Sequence, residues 1–378
     1  MKTPRFWQKN GIFPTLLTPL GWVYGAATQL RLRLGKPRKC KAKVICIGNI
    51  TAGGVGKTPV AMAMAEQYIK AGKKVFFVTR GYKGKLKNIV VNLERHTAAE
   101  TGDEARLLAG VAPTIIAPRR ELGAEKAMRL GAEIIIMDDG FQNPGLYKDE
   151  SWLVFDGAAG IGNGKIIPAG PLRETLKNGE KRADYILIMG EDKTGLTEQC
   201  TLPVFSGRLK PLPFDLENKR VLAFAGIGHP EKFYQTLKSL GYILVATRDF
   251  ADHHAYTATD LEALRAEAAA QGLSLVTTEK DYVKLPDSAK KDIFCLKVRA
   301  EWAPVPVCGT RNAERTSVKA FGARNGYQCR YAGCGMDISE GVWCAERISV
   351  PVCGMRNGYQ RRQSAGGVYA CEDKMRGR

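Results

Sequence analysis

The sequence predicts an α/β fold, a mostly parallel sheet with helices on both faces, and three observations carry that expectation. A β-branched run at 44–50, VICIGNI, leads into a Gly-rich turn, TAGGVGKT, and then a helical pattern, TPVAMAMAEQYIKAG, closed by Gly72. A second apolar run, EIIIMDD, ends on Asp138 and Asp139. Along the chain, strand patterns alternate with helical ones, as crossover connections between parallel strands require.

Taken in order, KVFFVT (74–79) is a strand ending at Arg80, Gly81 and Tyr82. A helix is expected over 102–110, a strand at 114–116, a helix over 120–130 and then the strand that ends on the two aspartates. Further strands fall at 151–155 and 184–189. A polar, proline-bearing passage, GRLKPLPFDLENKR (207–220), separates this block from a second series. That series reads VLAFAGI (221–227), a helix over 230–240, YILVATRDF (242–250), a helix over 259–271 and LSLVTT (273–278).

The expected organisation is a basic, apolar N-terminal helix over 1–43, a phosphate-loop core over 44–205 and a smaller α/β domain over 206–302. The two domains face each other across a cleft suited to a large substrate. Residues 303–378 are rich in Gly, Cys and Arg, and PVCGTRN (306–312) returns as PVCGMRN (351–357) without the apolar periodicity of a repeat fold. This tail reads as an irregular appendage of the kind a reading-frame change produces, and no function is assigned to it.

Hydrophobic residues make up 44% of the 378 and charged residues 25%, which excludes a disordered chain and a multi-span membrane protein. The net charge is +19, and residues 1–43 hold ten basic residues and no acidic one. A nucleic-acid binder would spread its basic residues over a folded face, so no nucleic-acid partner is expected. Here the charge flanks an apolar stretch, GIFPTLLTPLGWVYGAATQLRLRL (11–34), which points to anionic lipid. Pro14, Pro19, Arg31 and Arg33 interrupt that stretch, so an interfacial helix fits better than a crossing one; the alternative is an amphipathic helix packed on the domain. RLRLGKPRKCKAK follows it, with no small-residue cleavage site, which leaves a cytoplasmic protein held against a membrane. Cys40, Cys46, Cys200 and Cys295 are scattered without metal spacing, as in a reducing compartment, and the six tail cysteines contain no CxxC pair, a weak basis for zinc.

TAGGVGKT, comprising Thr51, Ala52, Gly53, Gly54, Val55, Gly56, Lys57 and Thr58, approximates the Walker A loop of P-loop NTPases, with Thr51 in place of the usual first Gly. Backbone N–H groups of such a loop surround nucleotide phosphates, Lys57 reaches the β and γ oxygens, and the Thr58 hydroxyl ligates Mg2+. IIIMDD has the Walker B form, in which a carboxylate holds Mg2+ directly or through water; Asp138 and Asp139 can divide that work. Asp103 and Glu104 in TGDEARLL open a helix, where capping explains one of them and a general base or metal contact the other. ADHHAY places His253 and His254 beside Asp252, a setting for proton transfer. Arg80, at the end of a strand, and Arg173, in PAGPLRE beside Glu174, can each clamp phosphate or form a surface ion pair.

The order GNITAGGVGKTP, VTRGY, GDEA, DDGFQ, PAGPLRE and DHHAY, after an apolar basic N-terminus, resembles the tetraacyldisaccharide 4'-kinase family of lipid A biosynthesis over residues 1 to 302. In that family the loop begins with Ser or Thr, so Thr51 conforms. The resemblance implies transfer of the γ-phosphoryl group of ATP to the 4'-hydroxyl of an acylated disaccharide 1-phosphate lipid, giving lipid IVA and ADP, at the cytoplasmic face of the inner membrane of a Gram-negative bacterium. It also implies Asp103 as the base supported by His253, chosen over His254, with Thr58, Glu104 and Asp139 arranging Mg2+ and Asp138 near Lys57 and the metal. Nothing demands more than a monomer. The competing reading is a membrane-associated P-loop ATPase or GTPase acting as a switch, but no NKxD-type base-reading motif is apparent.

Overall fold

The structure, a computed structural model, describes residues 4–305. The expectations placed on 306–378, an irregular tail and a zinc site among its cysteines, lie outside the described residues. The strands are β1 (Lys43–Gly48), β2 (Val75–Thr79), β3 (Ile89–Val90), β4 (Thr114–Ile116), β5 (Ile134–Asp138), β6 (Glu150–Asp156), β7 (Tyr185–Met189), β8 (Val204–Pro211), β9 (Arg220–Ala225), β10 (Ile243–Asp249), β11 (Ser274–Thr278), β12 (Ile293–Leu296) and β13 (Val298–Pro304). The α-helices are α1 (Ile12–Leu34), α2 (Lys57–Lys70), α3 (Ala98–Thr101), α4 (Asp103–Ala109), α5 (Arg120–Arg129), α6 (Leu176–Glu180), α7 (Leu196–Gln199), α8 (Pro230–Ser239), α9 (Ala258–Gln271) and α10 (Glu279–Tyr282).

Among the described residues, nine strands form one sheet in the order β13-β8-β7-β6-β1-β5-β2-β4-β3, and four form a second in the order β10-β9-β11-β12. All pairings are parallel except β3 with β4 and β13 with β8. The apolar runs that predicted β1, β2 and β5 are continuous because both faces of these strands are covered. Side chains alternate between the two. Ile45, Ile47, Phe77 and Ile136 pack with Val60 to Ala65 of α2 and Leu108 of α4. Val44, Cys46, Val78, Ile135 and Met137 pack with Ala124 and Ala127 of α5 on the opposite face.

The small sheet is inserted between two strands of the large one. The chain leaves through β8, builds β9 to β12 and returns by β13, which pairs antiparallel with β8 so that Gly207 lies opposite Trp302. The boundaries expected at 206 and 302 therefore fall inside strands of the large sheet. β8 reads as a linker because its outer half is exposed and polar; Arg208 and Lys210 meet Glu301 of β13 at 3.7 and 3.2 Å.

α1 packs along one narrow face of small residues. Pro14, Gly21 and Gly25 are its buried positions, and a Cβ at Gly21 would stand 2.8 Å from the Ile166 carbonyl oxygen, so the backbone contact needs glycine there. The opposite face leaves Ile12, Leu16, Trp22 and Val23 uncovered, Ile12 at 83% exposure. Helix packing and an unpartnered apolar face thus coexist. Among the described residues, no helix is long and apolar enough to cross a membrane.

In the small domain, the fully buried Asp281 of α10 accepts hydrogen bonds from the Gly226 amide (3.0 Å) and the Thr278 hydroxyl (2.6 Å), and pairs with Lys284 at 2.6 Å. This cluster ties the start of α10 to the end of β9. Replacing Asp281 with Ala would strand the buried Lys284 ammonium and free the Gly226 amide. The expected loss is ~3–5 kcal/mol, read by circular dichroism as a lower urea midpoint.

Candidate active site

The carboxyl ends of β1, β2 and β5 lie side by side, and the loops that follow them form one edge of the large sheet. The Gly-rich loop leaves β1 and enters α2 at Lys57. Its turn depends on Gly56, whose φ of +84° lies in the left-handed region. Among the described residues, the amides of Gly53 to Gly56 donate to no protein acceptor, which leaves them available to an anion at a helix N-terminus. Thr51 and Ala52 are committed to the frame. Thr51 bridges to Leu172, the Ala52 amide donates to Pro171 O (2.8 Å), and the Arg173 amide donates to Ile50 O (2.7 Å), so the PAGPLRE segment braces the loop.

Lys57 Nζ donates to Asn49 Oδ1 (3.2 Å) and lies 3.4 Å from Asp139 Oδ1, which also faces Arg173 at 3.7 Å. Burial opposes ionisation of Asp139, but the Lys57 and Arg173 charges outweigh it and hold the carboxyl below its usual range. The Thr58 hydroxyl donates instead to Asp138 Oδ2 (2.8 Å). Asp138 is buried, and its second oxygen has no partner among the described residues. Burial first, and the Glu104 carboxylate second, push its carboxyl up. Burial likewise raises Glu104, against the opposing charge of Lys280. Asp138 thus stands beside Thr58 and within the field of Lys57, and Asp139 pairs with Lys57 itself.

These observations test the fit of a divalent cation. Among the described residues, no group of three or more His, Cys, Asp or Glu forms a closed metal cage. A hydroxyl beside a buried carboxylate with an orphaned oxygen is the partial set that Mg2+ completes with phosphate oxygens and water. Thr58 and Asp138 fit that requirement, with Glu104 and Asp139 in the same charge cluster.

Asp103 opens α4 and is 5% exposed. Gly102 before it has φ +86°, and a Cβ there would lie 2.4 Å from Tyr82 O, so only glycine lets the chain turn into α4 under the β2 loop. From the small domain, His253 Nδ1 reaches Asp103 Oδ2 at 2.8 Å. Burial alone would raise the Asp103 carboxyl, but this hydrogen bond and the charge of Lys280 hold it below the usual range. An ionised carboxylate only accepts, so this contact is a hydrogen bond when His253 carries its proton on Nδ1. His253 itself has φ +65°, a left-handed backbone rare outside glycine and held here by its amide bond to Gly226 O (3.2 Å). His254 points elsewhere. Its Nε2 lies 2.9 Å from Asp260 Oδ2, and its ring stacks on Phe250.

Arg80 is exposed at the end of β2, whereas Arg173 is brought to Asp139 and donates to Gln142 Oε1 (3.3 Å). Glu174, adjacent to Arg173 along the chain, is buried against Arg182 and accepts from Gln142 (3.1 Å) and from Gln29 of α1 (3.3 Å). Gln142 closes the DDGFQ motif, whereas two residues of this region carry no sequence signal: Gln29 and Lys280. The last has its Nζ 3.2 Å from Asp252, 3.5 Å from His253 Nε2 and 3.9 Å from Asp103.

A Gly-rich phosphate loop at the carboxyl edge of a parallel sheet, with a carboxylate and an imidazole from the two sheets' flanking segments brought together, defines a P-loop phosphotransferase. The LpxK family model, tetraacyldisaccharide-1-P 4'-kinase, matches residues 13–309. A tetraacyldisaccharide 4'-kinase from Paramagnetospirillum magneticum is 45% identical over 326 residues, covering 85% of this chain and all of its own. One from Rhodospirillum centenum is 46% identical over 313 residues, covering 80% of this chain and 93% of its own. The crystal structure of LpxK from Aquifex aeolicus in complex with ATP superposes with a TM-score of 0.64 at 27% identity, covering 77% of this chain and 96% of that one. The chain belongs to the tetraacyldisaccharide 4'-kinase family.

The two adjacent histidines separate by experiment. His253→Ala is expected to lower kcat by ~10²–10⁴-fold while nucleotide affinity holds. His254→Ala, which removes a ring stacked on Phe250, is expected to lower Tm and leave kcat near that of the parent. Steady-state kinetics with calorimetric ATP binding and melting curves reads both.

Proposed function

We propose that this chain transfers the γ-phosphoryl group of ATP to the 4'-hydroxyl of tetraacyldisaccharide 1-phosphate, forming lipid IVA and ADP. The observation that carries the reading is the Asp103–His253 hydrogen bond, 2.8 Å long, made between residues of the two domains within the same charge cluster as the phosphate loop. Asp103 accepts the proton of the attacking hydroxyl, held in place by His253. The hydroxyl oxygen bonds to the γ-phosphorus as the bond to the bridging oxygen breaks, and that electron pair leaves on ADP.

Lys57, the loop amides and Arg173 cancel the negative charge that spreads over the transferred group. Thr58 and Asp138 would hold Mg2+, with Glu104 and Asp139 adjoining; when bound, the cation supplies charge neutralisation of the phosphates. Lys57 and Arg173 keep Asp139 ionised. Thr51 and Ala52 shape the loop.

An acylated substrate stays in the bilayer, because exposing its chains to water costs ~0.8 kcal/mol per CH₂. The uncovered apolar face of α1 and the basic residues Arg31, Arg33, Lys36, Arg38 and Lys39 at its end support an interfacial seat on the cytoplasmic face of the inner membrane. Gln29 of the same helix bonds to Glu174, so the lipid-facing helix is braced directly to the site.

The test is transfer of labelled γ-phosphate to tetraacyldisaccharide 1-phosphate in detergent micelles. Asp103→Asn is expected to lose ~10²–10⁴-fold in kcat while still binding ATP. A folded parent that binds ATP and labels no lipid overturns the reading. Separately, the triple replacement Leu16→Ser, Trp22→Ser and Val23→Ser should weaken co-sedimentation with phosphatidylglycerol vesicles by roughly tenfold or more, since each side chain contributes ~1.5–3 kcal/mol on burial.

A further inference from the structure

His253 is flanked by carboxylates on both ring nitrogens. Asp103 Oδ2 is 2.8 Å from Nδ1, and Asp252 Oδ2 is 3.8 Å from Nε2. In the neutral form of an imidazole the single N–H can sit on either nitrogen, so the two carboxylates compete for it. The wrong tautomer would leave Nδ1 as a bare lone pair against the Asp103 oxygens, and the hydrogen bond that aims the carboxylate would be lost.

Lys280 occupies the place where that choice is made. Its Nζ lies 3.2 Å from Asp252 Oδ1, 3.5 Å from His253 Nε2 and 3.9 Å from Asp103 Oδ2. An ammonium has donors only, so it can be met at Nε2 only by a lone pair. Its charge also pairs with the carboxylate that would otherwise draw a proton to Nε2.

The backbone fixes both partners to a single residue. Gly226 O accepts from the His253 amide (3.2 Å), and the Gly226 amide donates to Asp281, the neighbour of Lys280 (3.0 Å). The loop with His253 and the helix with Lys280 are therefore held in register. Other bonds join the domains independently of Lys280. Lys232 pairs with Asp156 at 2.7 Å, and Arg299 of β13 bridges Glu66 of α2 and Glu279 of α10 at 2.7 and 3.0 Å. Removing the Lys280 ammonium leaves those contacts in place.

We propose that Lys280 is a positioning residue for phosphoryl transfer, its ammonium fixing His253 as the Nδ1–H tautomer that aims Asp103. This rests on the reading of Asp103 as the proton acceptor. It concerns the orientation of the pair and predicts a defect in kcat, with ATP binding intact.

The experiment uses the full chain as parent, Lys280→Met and Lys280→Arg. With four histidines in the sequence, long-range ¹H–¹⁵N spectra of the imidazoles resolve each ring, and His253→Gln assigns the signal of interest. The parent and Lys280→Arg are expected to carry the His253 proton on Nδ1. Lys280→Met is expected to shift it toward Nε2 and to lose on the order of 10²-fold in kcat, with the KM for ATP and Tm near those of the parent and most of the rate restored in Lys280→Arg. An unchanged His253 tautomer in Lys280→Met, or an unchanged kcat, overturns the proposal. The spectra need no turnover. A parent that fails to phosphorylate the lipid refutes the function while the tautomer comparison still decides the role of Lys280.

Discussion

The hydrogen bond between Asp103 and His253 is the constraint on which the arrangement depends. These residues lie 150 positions apart, Asp103 opening a helix of the large-sheet domain and His253 in the loop that follows β10 of the small sheet. Their 2.8 Å contact requires the small sheet to be held against the large one with its own strand ends turned toward the phosphate loop. The antiparallel ribbon of β8 and β13 does this, since the chain leaves the large sheet from β8 and re-enters it at β13. Gly102 and His253 each adopt a positive φ on either side of the contact, so the backbone is bent into rarely populated conformations where the two domains meet.

Around that bond the site separates charge by burial and partner. Asp138 and Asp139 are neighbours in sequence, yet one is buried beside a hydroxyl and the other faces two cations. That difference follows from chain direction: β5 ends at Asp138, and Asp139 takes φ +54°, turning its side chain toward Lys57. The same logic makes Glu174 structural. Burial against Arg182, Gln142 and Gln29 gives its charge the partners a buried carboxylate needs, and joins α1 to the loop that braces the phosphate site.

Much of this arrangement is legible in the amino-acid sequence. β1, β2 and β5 announce themselves because strands covered on both faces are continuous apolar runs, and the Gly-rich loop follows β1 because phosphate binding needs bare amides beside a helix start. β8 and β13 are hidden because an exposed ribbon carries Arg208, Lys210 and Pro211, residues equally at home in a linker. Glu174 beside Arg173 resembles an ordinary ion pair; neighbours in sequence need not be partners in space. Lys280 is invisible, since a lysine in a polar stretch has no spacing that marks it.

The sequence by itself determined the class of chemistry: the order of motifs and the alternation of strands and helices fix which residue types reach the carboxyl edge of a parallel sheet. Only the tertiary structure decided their partners. It set His253 against Asp103 and His254 against Asp260, placed Asp138 with Thr58, sent Glu174 into the interior and brought Lys280 to the imidazole. The physical reason is that local pattern specifies elements through propensity and burial. Hydrogen bonds of about 3 Å between distant residues depend on how sheets pack, information that is spread over the whole chain.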